Sequence, residues 1–185
     1  MRKNLVPRLI FLIISFFLFS NNLFADINWA LLQEGNKVIL IRHALAPGSG
    51  DPVGFKINDC KTQRNLNQVG IEQSKRIGIL FKKNKIKIDE VLTSQWCRCK
   101  DTAKYAFKNF REFSPLNSTF QSPYDENEGK QLKELRSFVK NWSGNNLVLV
   151  THYSIITAIT TAVPSSGEIV ITDKNFKVLS TMLVD

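Results

Sequence analysis

KVILIRHA, residues Lys37 to Ala44, is the stretch on which the fold turns. Val38 to Ile41 are four apolar β-formers in a row, which suits a short strand covered on both faces better than one with a wet face. The run stops at Arg42 and His43. In an open α/β sheet, ligands gather beyond the carboxyl ends of the strands, so a cation and a base placed there mark a candidate site. LVLVTH, Leu147 to His152, repeats the arrangement and carries the second of the chain's two histidines. A lone histidine is more often structural than catalytic. Two that both close all-apolar strands, one directly behind an arginine, point to a shared function.

Downstream of the first strand, Leu45 to Arg64 is a loop punctuated by Pro47, Gly48, Gly50, Pro52 and Gly54, and its place beyond the strand makes it wall material for a pocket. It is no nucleotide-binding P-loop, because no Gly-Lys-Ser/Thr follows the strand. Asn67 is placed to cap a helix reaching about Phe81, with Gly70, Ser74, Ile77, Gly78 and Phe81 on one face against the sheet. A second strand, Glu90 to Thr93, ends at Ser94. The next helix starts around Trp96 to Arg98 and continues through Ala103, Ala106 and Phe110, which puts Arg98 in a first turn whose free N–H groups already favour anions.

Glu112 to Asn127 reads as irregular chain. Leu132, Leu135, Val139 and Trp142 then recur at intervals of three and four, predicting a helix over Glu126 to Trp142 closed by Gly144. After His152 comes a helix with Ile155, Ile156, Ile159 and Ala162 inward. Glu168 to Thr172 and Phe176 to Leu183 read as a hairpin. Before the first strand, Asp26 to Asn36 reads as a short helix with Trp29, Leu32 and Leu31 as its inward candidates. Alternation of strand and helix predicts an α/β fold: a three-layer α/β/α sandwich with a mostly parallel central sheet and a C-terminal β-hairpin.

The 185 residues, 43% hydrophobic and 22% charged, suffice for one globular domain. Part of the net charge of +9 lies in Arg2, Lys3 and Arg8, which precede the apolar run Leu9 to Phe19 and the polar Ser20, Asn21 and Asn22. That order is a secretory signal over residues 1–25, with cleavage expected after Ala25 and the domain over 26–185. Leu23 is large for its position before that bond, so an uncleaved anchor is the alternative, and membrane contact is expected only through it. The placement implied is periplasmic or secreted. Without those three basic residues the chain keeps 22 Lys and Arg against 16 Asp and Glu, which favours an anionic ligand. No basic-aromatic interleaving or known module argues for nucleic acid.

Cys60, Cys97 and Cys99 lack the CxxC pairs or His-x3-His spacing of a zinc site. In an exported protein a disulfide is expected, from Cys60 to either Cys97 or Cys99, with the third thiol buried or free.

Arg42, His43, Arg98 and His152 therefore fall at strand ends or at the helix start just after one. Planar guanidinium forks bind phosphoryl oxygens in pairs, and a neutral imidazole is a competent nucleophile at phosphorus. At these residues the chain resembles the histidine phosphatase superfamily, the phosphoglycerate-mutase-like phosphatases. IRHA stands at the arginine-histidine-glycine signature; Leu66, Gly70 and Gln73 are similar to the first helix; Ser94, Arg98, Thr102 and Ala103 are similar to the second arginine segment; VTHYS is similar to the second histidine motif. The resemblance covers nearly all of the chain from Lys37 to Thr172 and is closest in size to small, minimally decorated members. It implies that His43 is the phosphorylated nucleophile, that Arg42, Arg98 and His152 hold the phosphoryl group, and that neither metal nor other cofactor is needed.

Two departures stand out. Ala44 replaces the usual glycine, tolerable where φ is negative. Asn117 falls where the family's general acid, commonly a glutamate, is sought; Asp125, Glu126, Glu128 and Glu168 are the remaining candidates and none is assigned. A chain without that acid is expected to favour good leaving groups over alkyl phosphomonoesters. The function expected is an exported, metal-independent phosphatase. The alternatives are a phosphate- or polyanion-binding protein without turnover, and a metal-dependent hydrolase, which the sparse ligands disfavour. The substrate is left open among a phosphorylated small molecule, an envelope sugar phosphate and a phosphoprotein, and sequence leaves the oligomeric state open too.

Overall fold

A computed structural model describes residues 28–184. The export signal expected over residues 1–25 and its cleavage site lie outside the described residues. Among the described residues no helix is long and apolar enough to cross a membrane. Helix α1 is helical over 28–34 and is followed by β1 (Val38–Arg42), α2 (Gln68–Lys83), β2 (Glu90–Thr93) and α3 (Cys97–Phe107). The second half holds β3 (Arg111–Glu112), α4 (Glu128–Lys140), β4 (Leu147–Thr151), α5 (Tyr153–Thr160), β5 (Ile169–Thr172) and β6 (Val178–Met182).

The strands form one sheet in the order β3-β2-β4-β1-β5-β6. The pairs β1–β4, β2–β4 and β2–β3 are parallel, whereas β5 runs antiparallel to β1 and to β6. This is the α/β sandwich with its C-terminal hairpin. Because side chains alternate along a strand, Ile39, Ile41, Val91, Val148 and Val150 face one layer with Trp29, Leu32, Ile77, Phe81 and Ala103. Val38, Leu40, Leu92, Leu147 and Leu149 face the other with Leu135, Val139, Ile155, Ile156 and Ile159. Helices on both faces explain why β1 and β4 read as unbroken apolar runs.

Local chemistry fixes the elements that carry the site. Asn67 caps α2, its side chain accepting from the Gly70 amide at 2.9 Å, a contact worth about 1 kcal/mol. The small residues of α2 admit neighbours other than the sheet: a Cβ on Gly70 would fall 2.2 Å from the Leu45 carbonyl oxygen, and one on Gly78 2.1 Å from that of Ala106 in α3. The Cys60–Cys97 bridge joins the loop after β1 to the start of α3, and Cys99 is free and buried.

Several boundaries differ from expectation. Helix α3 ends at Phe107, where Lys108 takes φ 68°, and α4 starts at Glu128 and ends at Lys140. The stretch expected to be irregular opens with β3, a two-residue exposed edge strand whose charged Arg111 and Glu112 carry no apolar signal. It also contains short 3-10 turns at Ser114–Leu116 and Asp125–Asn127.

Candidate active site

Register brings the two histidines together. Arg42 lies opposite Thr151 in the parallel β1–β4 pair, so the residues that follow, His43 and His152, leave the sheet side by side. The His43 amide donates to the Thr151 carbonyl at 2.9 Å, and the two imidazole centroids are 5.5 Å apart. Thr102 fastens the turn after His43, accepting from the Ala44 amide at 3.0 Å and donating to the Arg98 carbonyl at 2.7 Å. Gln73 accepts from the Leu45 amide at 3.1 Å. Ala44 is fully buried and is not among the residues of positive φ, so the glycine substitution is accommodated.

Arg98 sits between the rings. Its Nε donates to His43 Nε2 at 3.2 Å, one Nη to His152 Nδ1 at 3.3 Å and the other to Asp51 Oδ1 at 2.8 Å. A guanidinium only donates, so each of those ring nitrogens carries a lone pair. The His43 proton is therefore on Nδ1, 2.8 Å from the Ala44 carbonyl, and the His152 proton on Nε2, 2.8 Å from Ser94 Oγ. Burial first, then the Arg98 charge, holds both imidazoles well below the usual histidine range. Both are neutral bases at neutral pH. Cys99 Sγ lies 3.4 Å from His152 Nε2, and burial pushes its thiol up to about 12, an unreactive neighbour.

The cleft over these groups is lined by Arg42, His43, Arg98 and His152 together with Asp51, Arg64, Ser118, Phe120, Gln121, Tyr153 and Ser154. It holds about 110 Å³, a phosphoryl-sized space against the ~300–1,000 Å³ of pockets that engulf larger ligands. Arg42 donates to the Pro164 carbonyl at 2.8 Å and packs over the Tyr153 ring, while its buried Nε has no partner. An orphaned guanidinium N–H at a basic cleft is a donor suited to an anionic oxygen.

All four site residues named from sequence meet here. Asp51 and Arg64 were missed. Arg64 donates through Nε to the Gly50 carbonyl at 2.7 Å and through Nη1 to that of Ala46. Asp51 accepts from Arg98, from the Arg64 amide at 3.2 Å and from Trp96 Nε1 at 2.9 Å. Both stand in a Gly- and Pro-rich loop without periodicity, and the one signal available was the loop's place beyond β1.

None of the acid candidates lines the cleft. Asn117 turns inward, its Oδ1 accepting from Ser94 Oγ at 3.2 Å and from the Gln95 amide at 2.9 Å, so it supports the hydroxyl beneath His152. Glu128 accepts from Thr119 Oγ1 at 2.8 Å and Glu168 from the Ser165 amide at 2.7 Å, while Asp125 and Glu126 are exposed. Asp51 is the one carboxylate in the lining, and its two oxygens are already engaged by three donors. Among the described residues no group of three or more His, Cys, Asp or Glu could hold a metal ion.

No protein-family model matches the chain, and no curated protein matches it in sequence. Solved structures do match in shape. A phosphoglycerate mutase from Thermus thermophilus is 17% identical, with 80% of this chain and 99% of that one covered and a TM-score of 0.55. The fold is phosphoglycerate-mutase-like. The open reading frame Rv3214 from Mycobacterium tuberculosis gives a TM-score of 0.58 at 15% identity, covering 80% and 96% of the two chains. A protein of Agrobacterium tumefaciens described as a candidate phosphohistidine phosphatase, SixA, gives 0.54 at 18% identity, covering 80% and 97%.

Proposed function

We propose that the protein is an exported phosphatase of the histidine phosphatase superfamily, working without a metal through a phosphohistidine intermediate. The observation that carries the proposal is the convergence of two neutral imidazoles and three guanidiniums on one phosphoryl-sized cleft. The names of the neighbouring structures, a phosphoglycerate mutase and a candidate phosphohistidine phosphatase, agree with a phosphoryl group as the ligand.

His43 Nε2 is the nucleophile: the ring lines the cleft, its Nε2 lone pair rests on Arg98 Nε–H at 3.2 Å and must leave that donor to attack phosphorus, and its other nitrogen is held by the Ala44 carbonyl. As the N–P bond forms, the bond from phosphorus to the leaving group breaks. Arg42, Arg64 and Arg98 take up the charge on the equatorial oxygens. Water then attacks phosphorus, inorganic phosphate leaves, and the electron pair returns to His43. With no free carboxyl in the cleft, the leaving group departs without a carboxylic acid to protonate it. Substrates with weakly basic leaving groups, such as phosphohistidine, phosphoanhydrides or aryl phosphates, are thus favoured over alkyl esters.

Export rests on the basic-apolar-polar order of residues 1–25 and is supported by the Cys60–Cys97 bridge, a bond of oxidising compartments. Incubation with a phosphorylated aryl substrate is expected to leave an acid-labile, base-stable label on the chain that His43→Ala abolishes. A label surviving that substitution would exclude the assignment. The missing acid also favours a second reading, a phosphate receptor without turnover: saturable binding of aryl phosphate with no phosphate released would establish it instead.

A further inference from the structure

We propose that Asp51 sets the specificity of the cleft, lowering its positive charge to match one phosphoryl dianion, so that the site accepts a phosphoryl group carried on an uncharged leaving group and disfavours a second anion beside it. The proposal rests on the phosphatase reading above. The charged groups lining the cleft are Arg42, Arg64 and Arg98 against Asp51, and both histidines accept from Arg98 and are neutral. Three cations and one anion leave two positive charges. A phosphoryl monoester above its second ionisation carries close to two negative ones.

Asp51 cannot withdraw to admit another anion. Its side chain is 5% exposed against 3% for Arg98, and Arg98, Trp96 and the Arg64 amide hold its two oxygens from three directions. Its own amide is tied to Gln121 Oε1 at 2.9 Å. The remaining rim side chains, Ser49, Ser118, Phe120, Gln121, Tyr153 and Ser154, supply hydroxyl, amide and aromatic groups and no cation. A carboxylate or second phosphoryl group next to the bound one therefore meets a fixed negative charge with no counter-charge to offset it. Phe120, 59% exposed at the mouth, offers the leaving group an apolar surface.

The test uses two non-hydrolysable ligands that differ by one charge, methylphosphonate and phosphonoacetate, titrated calorimetrically into the purified chain at about pH 9.5, about 3.5 units above the second ionisation of a phosphate ester and high enough that both phosphonates, which hold that proton more tightly, are dianionic. The wild-type chain is expected to bind phosphonoacetate about tenfold more weakly than methylphosphonate, and Asp51→Asn to narrow the gap to about twofold. Equal or tighter binding of phosphonoacetate by the wild type would overturn the proposal, and that comparison stands whether or not the variant folds. A gap unchanged in folded Asp51→Asn would remove Asp51 from the assignment. Failure of both ligands to bind at all would instead remove the phosphoryl-site reading on which it rests.

Discussion

Replacing Arg98 by methionine keeps most of the side chain's bulk and removes its charge and fork. The wild-type guanidinium is 3% exposed and bonds His43, His152 and Asp51 at 3.2, 3.3 and 2.8 Å. Without it, the Asp51 carboxylate, 5% exposed in the wild type, is held only by one indole and one amide. Breaking a buried pair on one side costs about 3–5 kcal/mol, and loss of a donor aimed at developing phosphoryl charge costs about 10²–10³ in kcat. The two losses separate in the double variant Arg98→Met/Asp51→Asn. Removing the stranded carboxylate is expected to bring stability back to within about 2 kcal/mol of wild type, while turnover stays at the level of Arg98→Met. Urea unfolding and release of phosphate from an aryl phosphate read the two quantities independently. A single variant destabilised by less than about 1 kcal/mol, or a double variant no more stable than the single, would refute the account of Asp51 and Arg98 as a buried, mutually dependent pair.

Two further outcomes are expected. Cys60→Ala, or reduction of the Cys60–Cys97 bridge that spans 37 residues, should lower unfolding stability by about 2–4 kcal/mol, with phosphate affinity falling as well because Arg64 and Arg98 flank the bond; urea midpoints and phosphate titrations with and without dithiol check both. His43 and His152 have their proton affinity depressed in the folded state by burial and by Arg98, so the unfolded chain takes up their protons first. Stability should accordingly be full above about pH 6.5 and fall below it, by about 2.7 kcal/mol per pH unit once both unfolded imidazoles are charged. Urea midpoints that stay level down to pH 5, roughly 1.5 units below that range, would contradict neutral, buried histidines.

The sandwich and the meeting of its two histidines were open to sequence because hydrophobicity is a dense signal. β1 and β4 are covered on both faces, so each reads as an apolar run, and the break in each run names the residue at the sheet's edge. Arg98 was found by its place at the start of a helix. Asp51 and Arg64 escaped because a loop's side-chain directions are set by long-range ties, here to Trp96, Arg98 and the carbonyls of Ala46 and Gly50. The choice of Cys97 over Cys99 was hidden for a related reason: the two lie on different sides of α3, and only packing decides that Cys99 faces Thr151 and His152. β3 is too short and too charged to announce itself. At Asn117, position in the chain suggested a proton donor's seat, whereas the fold turns the amide toward Ser94 and Gln95.

The loop after β1 is pinned to the first turn of α3 by a covalent bond at Cys97, by Gln63 accepting from the Cys97 amide at 2.9 Å, and by Asp51 gripping Trp96 and Arg98. A wall riveted in this way does not swing. Ligands enter and leave a receptacle already shaped before they arrive, so the ordering that other enzymes carry out at each encounter through a closing flap is completed here once, when the chain folds and oxidises. For the proposed phosphatase, turnover would then be governed by the making and breaking of bonds at phosphorus and by escape of phosphate from its cations, and solvent viscosity should matter to it only through that escape.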